Sequence, residues 1–156
     1  MSQLNSLRTE DTTERPSGSP GQIVQSVLAD LGSGRISEAV ALFADRFIFE
    51  DHALGLTFTD RRRLSEYFER ALELCPDATV EVTSILELGE QVVAEWRMTG
   101  TENVVYWRQL QVPIVVAGIS RVRVENGCII HWADYYDGAR ARRASLTASF
   151  VDWVES

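Results

Sequence analysis

The feature that most constrains this chain is a change of hydrophobic period at Pro76-Asp77. Before it, apolar residues recur every three to four positions; after it they alternate. Ile23, Val24, Val27, Leu28 and Leu31 have helical spacing and stop at "GSG", 32–34. Ile36, Val40, Leu42 and Phe43 start a second short helix. Asp60 is a good N-cap for a third, "RRRLSEYFERALELC", whose Leu64, Tyr67, Phe68, Leu72 and Cys75 form one stripe. Between the last two helices, "RFIFED" (46–51) reads as a strand followed by a loop, "HALGLTFTD". Beyond Pro76, strand-like runs fall at about 78–87, 91–99, 103–112, 114–124 and 128–136, with turn signals "LGEQ", "TGTEN", Pro113 and "ENGC" between them. Helices first and antiparallel strands after is an α+β order.

The ends read differently. Residues 1–20 are rich in Ser, Thr, Pro, Gly and charge, lack the apolar core of a signal peptide, and read as a disordered lead-in. The stretch 138–156 reads as a helical tail, with Leu146, Phe150 and Trp153 on one side, suited to a lid or a dimer contact. The ordered domain therefore spans 21–137. A length of 156 residues supports one core with room for a cavity. The net charge of −8 argues against nucleic acid or an anionic membrane surface as partner, which leaves small neutral or apolar molecules. Cys75 and Cys128 sit in apolar surroundings and read as reduced thiols, which suits the cytoplasm.

Chemistry concentrates on two acids. In "CIIHWADYYD" (128–137), strand alternation puts Cys128, Ile130, Trp132, Asp134 and Tyr136 on one face and Ile129, His131, Ala133 and Tyr135 on the other. Asp134 then stands between two aromatics, where lost hydration raises a carboxyl pKa towards neutrality and lets it exchange protons. An acid at a sheet rim or in a salt bridge gives the same pattern. In "FIFEDHALG", Asp51 ends the face carrying Phe47 and Phe49, either as a turn acid or as a displayed functional group. If the sheet curls so that both faces line one pocket, Asp51 and Asp134 meet, and their repulsion separates their pKa values. His52 and His131 fall on the opposite faces and read as surface or interface residues. "RRR" at 61–63 reads as a solvated first turn. Trp96, Trp107, Trp132, Tyr106 and Tyr136 are either core or stacking surfaces for a flat ligand. The sequence shows no Gly-rich phosphate loop, zinc spacing or Ser or Cys nucleophile motif, so the chemistry it offers is proton transfer without cofactor or metal.

Three stretches, "ALFADRFIFEDHALG" (41–55), "VVAEWRMTGT" (92–101) and "GISRVRVENGCIIHWADYYD" (118–137), together with the element order, resemble the nuclear transport factor 2-like superfamily. Within it they are similar to the SnoaL-like polyketide cyclases, ketosteroid isomerases and limonene epoxide hydrolases. The resemblance implies a cone: a curved mixed or antiparallel sheet with three N-terminal helices on its concave face, a C-terminal helix, and pairing into homodimers through the outer sheet face. It places Asp51 where the isomerases keep a proton-shuttling aspartate, and Asp134 where the cyclases keep their acid/base aspartate. The isomerases' oxyanion-binding Tyr and acid are matched here by Val27 and by Ile119 or Ser120. The hydrolases' Arg-x-Asp is matched by Arg97-Met98-Thr99, so the arginine is present and the second acid is not.

The reading is an acid/base enzyme acting on a small, largely apolar substrate, such as a polycyclic ketone, in a cyclase- or isomerase-like reaction. Asp134, Asp51 and Arg97 are its catalytic candidates, and Phe49, Trp96, Trp132 and Tyr136 line the substrate. An epoxide hydrolase, and a non-catalytic ligand-binding or dimerisation module, are the alternatives. Strand 92–99 is open at this stage: periodicity buries Trp96 and exposes Arg97, whereas the hydrolase resemblance turns Arg97 towards Asp134.

Overall fold

The serine and proline that end the polar lead-in begin the first helix. In the computed structural model, which describes residues 18–104 and 110–139, Ser19 caps α1 (Pro20–Gly32). Its hydroxyl accepts from the Gln22 backbone N–H while the Gln22 side chain accepts from the Ser19 N–H, a capping box with proline in the first turn. α2 (Ile36–Ala41) follows the glycine turn, and α3 (Arg61–Leu74) starts at the Asp60 cap. Of the three arginines opening α3, Arg61 is not merely solvated: it donates to the Phe43 carbonyl and pairs with Asp45, tying the helix to the first strand.

The strands are β1 (Phe43–Asp51), β2 (Leu56–Phe58), β3 (Thr79–Leu88), β4 (Gln91–Val104), β5 (Leu110–Glu125) and β6 (Cys128–Tyr136). They form one mixed sheet in the order β2-β1-β6-β5-β4-β3, curved and not closed on itself. All neighbours are antiparallel except β1 and β6, which run parallel. The expected α+β class therefore holds, with three helices among the described residues. Apolar residues of all three helices and of the inner sheet face share one core, centred on Phe43, Phe49, Leu64, Val92, Val122, Ile129 and Trp132. Among the described residues no helix is long and apolar enough to cross a membrane.

Several expectations are corrected. The stretch "TGTEN" is not a turn: β4 continues through it to Val104. Pro113 does not separate strands either but lies inside β5, opposite Thr101. β5 pairs with β6 only as far as Gly118 opposite Tyr136, so among the described residues one side of β5 has no neighbouring strand at Pro113, and a residue without an N–H is tolerated there. The loop "HALGLTFTD" contains β2, and Phe43 opens β1 rather than closing α2. The face assignment in β6 holds only from His131 onward. Ile129 pairs with Val124 and His131 with Arg123, so Ile130 is an extra residue, a bulge that lets Ile129 and Trp132 both point into the core. The lead-in up to residue 17, Tyr106, Trp107 and the tail beyond residue 139, expected to be helical, lie outside the described residues.

Candidate active site

The register of the parallel pair builds the site. Asp51 on β1 lies opposite Asp134 on β6, which lies opposite Ser120 on β5, which lies opposite Ala94 on β4. In the adjacent row Tyr136, Gly118 and Trp96 are neighbours, and on the other side Phe49, Trp132, Val122 and Val92 form a buried row. The two acids that the sequence singled out are thus side by side on the inner face of one sheet.

Asp51 is 1% exposed and bonded from three directions. Its Oδ2 accepts from the Tyr67 hydroxyl at 2.6 Å and the Tyr136 hydroxyl at 2.7 Å, and its Oδ1 accepts from the Leu54 N–H at 2.9 Å. Its backbone carbonyl accepts from the Gly55 N–H, closing the β1–β2 hairpin over Gly55, whose φ of +72° suits glycine. Asp51 is therefore both the turn acid and a member of the buried cluster. Burial, followed by the charge of Asp51, holds the Tyr67 and Tyr136 phenols well above the usual tyrosine range, so both remain donors.

Asp134 is arranged differently. Its Oδ1 accepts from the Ser120 hydroxyl at 2.5 Å and from Trp132 Nε1–H at 2.6 Å. Ser120 Oγ in turn accepts from Trp96 Nε1–H at 2.9 Å. Oδ2 accepts no hydrogen bond among the described residues, and the side chain is half-buried. Burial of the group outweighs its two donors and, with the nearby Asp51 charge adding to it, pushes the Asp134 carboxyl up to about 7. A carboxyl poised there can take and return a proton near neutral pH.

Of the expected substrate contacts, Trp96 and Tyr136 stand in the row next to Asp134, with ring centroids 6.0 Å apart and both half-buried. Phe49 and Trp132 lie beneath, stacked at 6.5 Å and almost fully buried, so they support the site and are not its surface. Gly118 makes the arrangement possible: a Cβ there would stand 2.4 Å from the Trp96 ring. Arg97 is not part of the cluster. Adjacent residues in β4 face opposite ways, and Trp96 takes the inner face, leaving Arg97 exposed on the outer one. The Arg97–Asp134 arrangement expected of an epoxide hydrolase is therefore absent among the described residues.

His52 and His131 are on the outer face, as alternation required. There His131 Nε2 lies 2.7 Å and His52 Nε2 3.7 Å from Glu50 Oε2, and His52 stacks on Tyr135. Two participants were missed. Tyr67 was read only as part of the stripe on α3, although a hydroxyl in a buried stripe signals a hidden acceptor. Ser120 was noted only as a replacement for an isomerase acid, although it shares the inward parity of Val122 and Val124.

A family model for a SnoaL-like domain matches residues 24–132, most of the chain, from α1 to Trp132 two positions ahead of Asp134. The chain belongs to the SnoaL-like domain family. No curated protein matches the sequence. Among solved structures, the SnoaL-like domain is similar to a candidate SnoaL-like polyketide cyclase from Shewanella putrefaciens (12% identity, 83% of this chain and 98% of that one, TM-score 0.71). It is similar also to IdmH, a candidate polyketide cyclase from Streptomyces antibioticus (16% identity, 82% and 99%, TM-score 0.70). A third is a hypothetical protein of ketosteroid isomerase-like fold from Catenulispora acidiphila, in complex with trimethylamine (23% identity, 80% and 92%, TM-score 0.69). At these identities the likeness establishes the fold of the SnoaL-like domain.

Proposed function

We propose that this SnoaL-like domain is an acid/base enzyme that moves a proton on a small, largely apolar carbonyl compound, with Asp134 as the group that takes and returns it. The observation that carries the reading is Asp134 itself, a carboxyl pushed up to about 7 by burial, with one oxygen tied down by two donors and the other without a hydrogen bond among the described residues. Asp134 removes the proton from the carbon next to the carbonyl, leaving an enolate. It returns that proton either to another carbon, an isomerisation, or to the alkoxide formed when the enolate closes a ring on a second carbonyl, a cyclisation. Asp51 assists by fixing Tyr67 and Tyr136 at the wall of the site. The cyclase-like and isomerase-like neighbours support this class of reaction, and the trimethylamine held by one of them supports a small-molecule ligand. The substrate reaches the inner face of a cone formed by the curved sheet and its helices, and no cofactor takes part.

The outer sheet face carries Ile48, Val115, Ile119 and Tyr135, each more than 40% exposed, and we propose that a second copy covers it, giving a cytoplasmic homodimer. A monomer by light scattering at micromolar concentration would count against that.

The enzymatic reading is tested by hydrogen exchange at the α-carbon of 2-tetralone, a bicyclic ketone, in deuterated buffer. The protein accelerates exchange over buffer, and Asp134→Asn, which preserves shape and removes titration, loses about 100-fold or more of that acceleration. Equal exchange by both proteins would sink the reading.

A further inference from the structure

The two oxygens of Asp134 are not equivalent, and the asymmetry follows from what each neighbour is able to donate. An indole N–H donates and never accepts, whereas a serine hydroxyl carries one hydrogen and accepts as well. Trp96 Nε1–H fills an acceptor position on Ser120 Oγ at 2.9 Å. Ser120 is fully buried, and its remaining hydrogen bond among the described residues is the one to Asp134 Oδ1. The hydroxyl hydrogen therefore has one destination. Trp132 Nε1–H reaches the same Oδ1 at 2.6 Å and cannot reverse. A proton placed on Oδ1 would point at two donors and would take from the buried Ser120 hydroxyl its one acceptor, an arrangement that costs more than leaving Oδ1 as the carbonyl-like oxygen.

From this geometry we infer that Ser120, held by Trp96, is a positioning residue that confines the transferable proton of Asp134 to Oδ2, and that Oδ2 is the atom that meets the substrate. The inference rests on the acid/base reading for its use, but the assignment of the oxygen stands on the hydrogen bonds alone. Oδ2 is the oxygen that accepts no hydrogen bond among the described residues, and Trp96 and Tyr136 stand in the adjacent row of the same face. Trp96 thereby has two duties, its ring standing in the row beside the acid and its N–H orienting the serine that orients the acid. Gly118 is the position that admits the indole to do both.

The titratable groups facing Asp134 are Asp51 from β1, Tyr67 from α3 and Tyr136 from β6. β5 and β4 contribute Ser120 and Trp96, which do not titrate in the accessible range. No cation among these competes with the serine for the carboxylate, so removing the serine donor acts directly on the anion. Two donors that favour the charged form hold the carboxyl lower than burial alone would.

Two measurements that need no substrate test the assignment. Carboxyl NMR follows the titration of Asp134, identified by its loss in Asp134→Asn. Ser120→Ala raises that titration by about one pH unit, tenfold in proton affinity, while Ser120→Thr, which restores a hydroxyl, keeps it near the native value. Infrared difference spectra at pH 5.5 read the protonated acid. With the proton on Oδ2, the Oδ1 carbonyl accepts two hydrogen bonds and absorbs at lowered frequency, and Ser120→Ala shifts the band upward. Urea denaturation shows whether each variant remains folded at the pH of measurement. An Asp134 titration and carbonyl band left in place by Ser120→Ala, or displaced equally by Ser120→Thr, would overturn the inference. These outcomes are independent of the ketone assay: exchange that survives Asp134→Asn sinks the proton-transfer reading and leaves the oxygen assignment intact, and an unmoved titration does the reverse.

Discussion

Asp51 and Asp134 are the same residue type, adjacent in register on the same sheet face, and yet they are built for opposite ends. Asp51 is sealed in, its oxygens divided among two phenols and a backbone amide. Asp134 has both donors on one oxygen and none on the other among the described residues. The difference teaches that burial alone does not make a catalytic acid. A buried carboxylate supplied with enough donors becomes a structural hub, whereas one that is dehydrated and short of donors becomes a titrating group.

The sharpest way to break this comparison is to remove each carboxylate in turn. Asp51→Ala leaves the Tyr67 and Tyr136 hydroxyls and the Leu54 N–H without their acceptor. It is expected to lower the stability to urea by ~3–5 kcal/mol. Asp134→Ala removes a dehydrated charge along with its bonds and costs less than about half of that at pH 8. Equal losses would mean that the two acids do the same structural work.

The next effect is on pH dependence. The folded protein holds the Asp134 proton up to about pH 7, whereas the unfolded chain releases it near the ordinary value of 3.8. Between those limits the folded state binds more protons, so stability falls as pH rises from about 4 to about 7 and this contribution is flat above. The span is roughly 2–4 kcal/mol. Urea midpoints across that range should show the decline in the native protein, and Asp134→Asn should remove this part of it.

Smaller still is Tyr136→Phe, which takes one of the two phenols from Asp51 Oδ2. A loss of ~1–2 kcal/mol in urea is expected, with Tyr67 retained as the other donor. At the bottom of the scale, Arg97→Ala is expected to change stability by less than ~0.5 kcal/mol and to leave ketone exchange unaltered, because the side chain is exposed on the far face of β4. A large loss of exchange in that variant would bring the arginine back into the chemistry.

Much of this was legible in the sequence for local reasons. The period change at Pro76 separates helices from sheet, and alternation in "RFIFED" and "HWADYY" puts Asp51 and Asp134 on inward faces. The turn "ENGC" also reads correctly, since Asn126 and Gly127 both take positive φ in the β5–β6 hairpin. What was not legible depends on partners distant in sequence. The length of β4 and β5 through "TGTEN" and Pro113 is set by their pairing with each other, which outweighs local turn preference. Nothing in "SEYFER" says that the Tyr67 hydroxyl will find Asp51, sixteen positions earlier. Arg97 was ambiguous because the resemblance and the alternation pulled in opposite directions, and the packing of Trp96 over Gly118 settles it in favour of alternation.

The extra residue at Ile130 also divides β6 into two reading frames. Ahead of it odd-numbered positions face inward, and behind it even-numbered ones do. Deleting Ile130 would only remove the bulge, leaving Ile129, His131 and Trp132 opposite the consecutive residues Val124, Arg123 and Val122, with the acid still inward. A single insertion or deletion between Trp132 and Asp134 has no such slack: with Trp132 held in the core, the acid is carried to the outer surface.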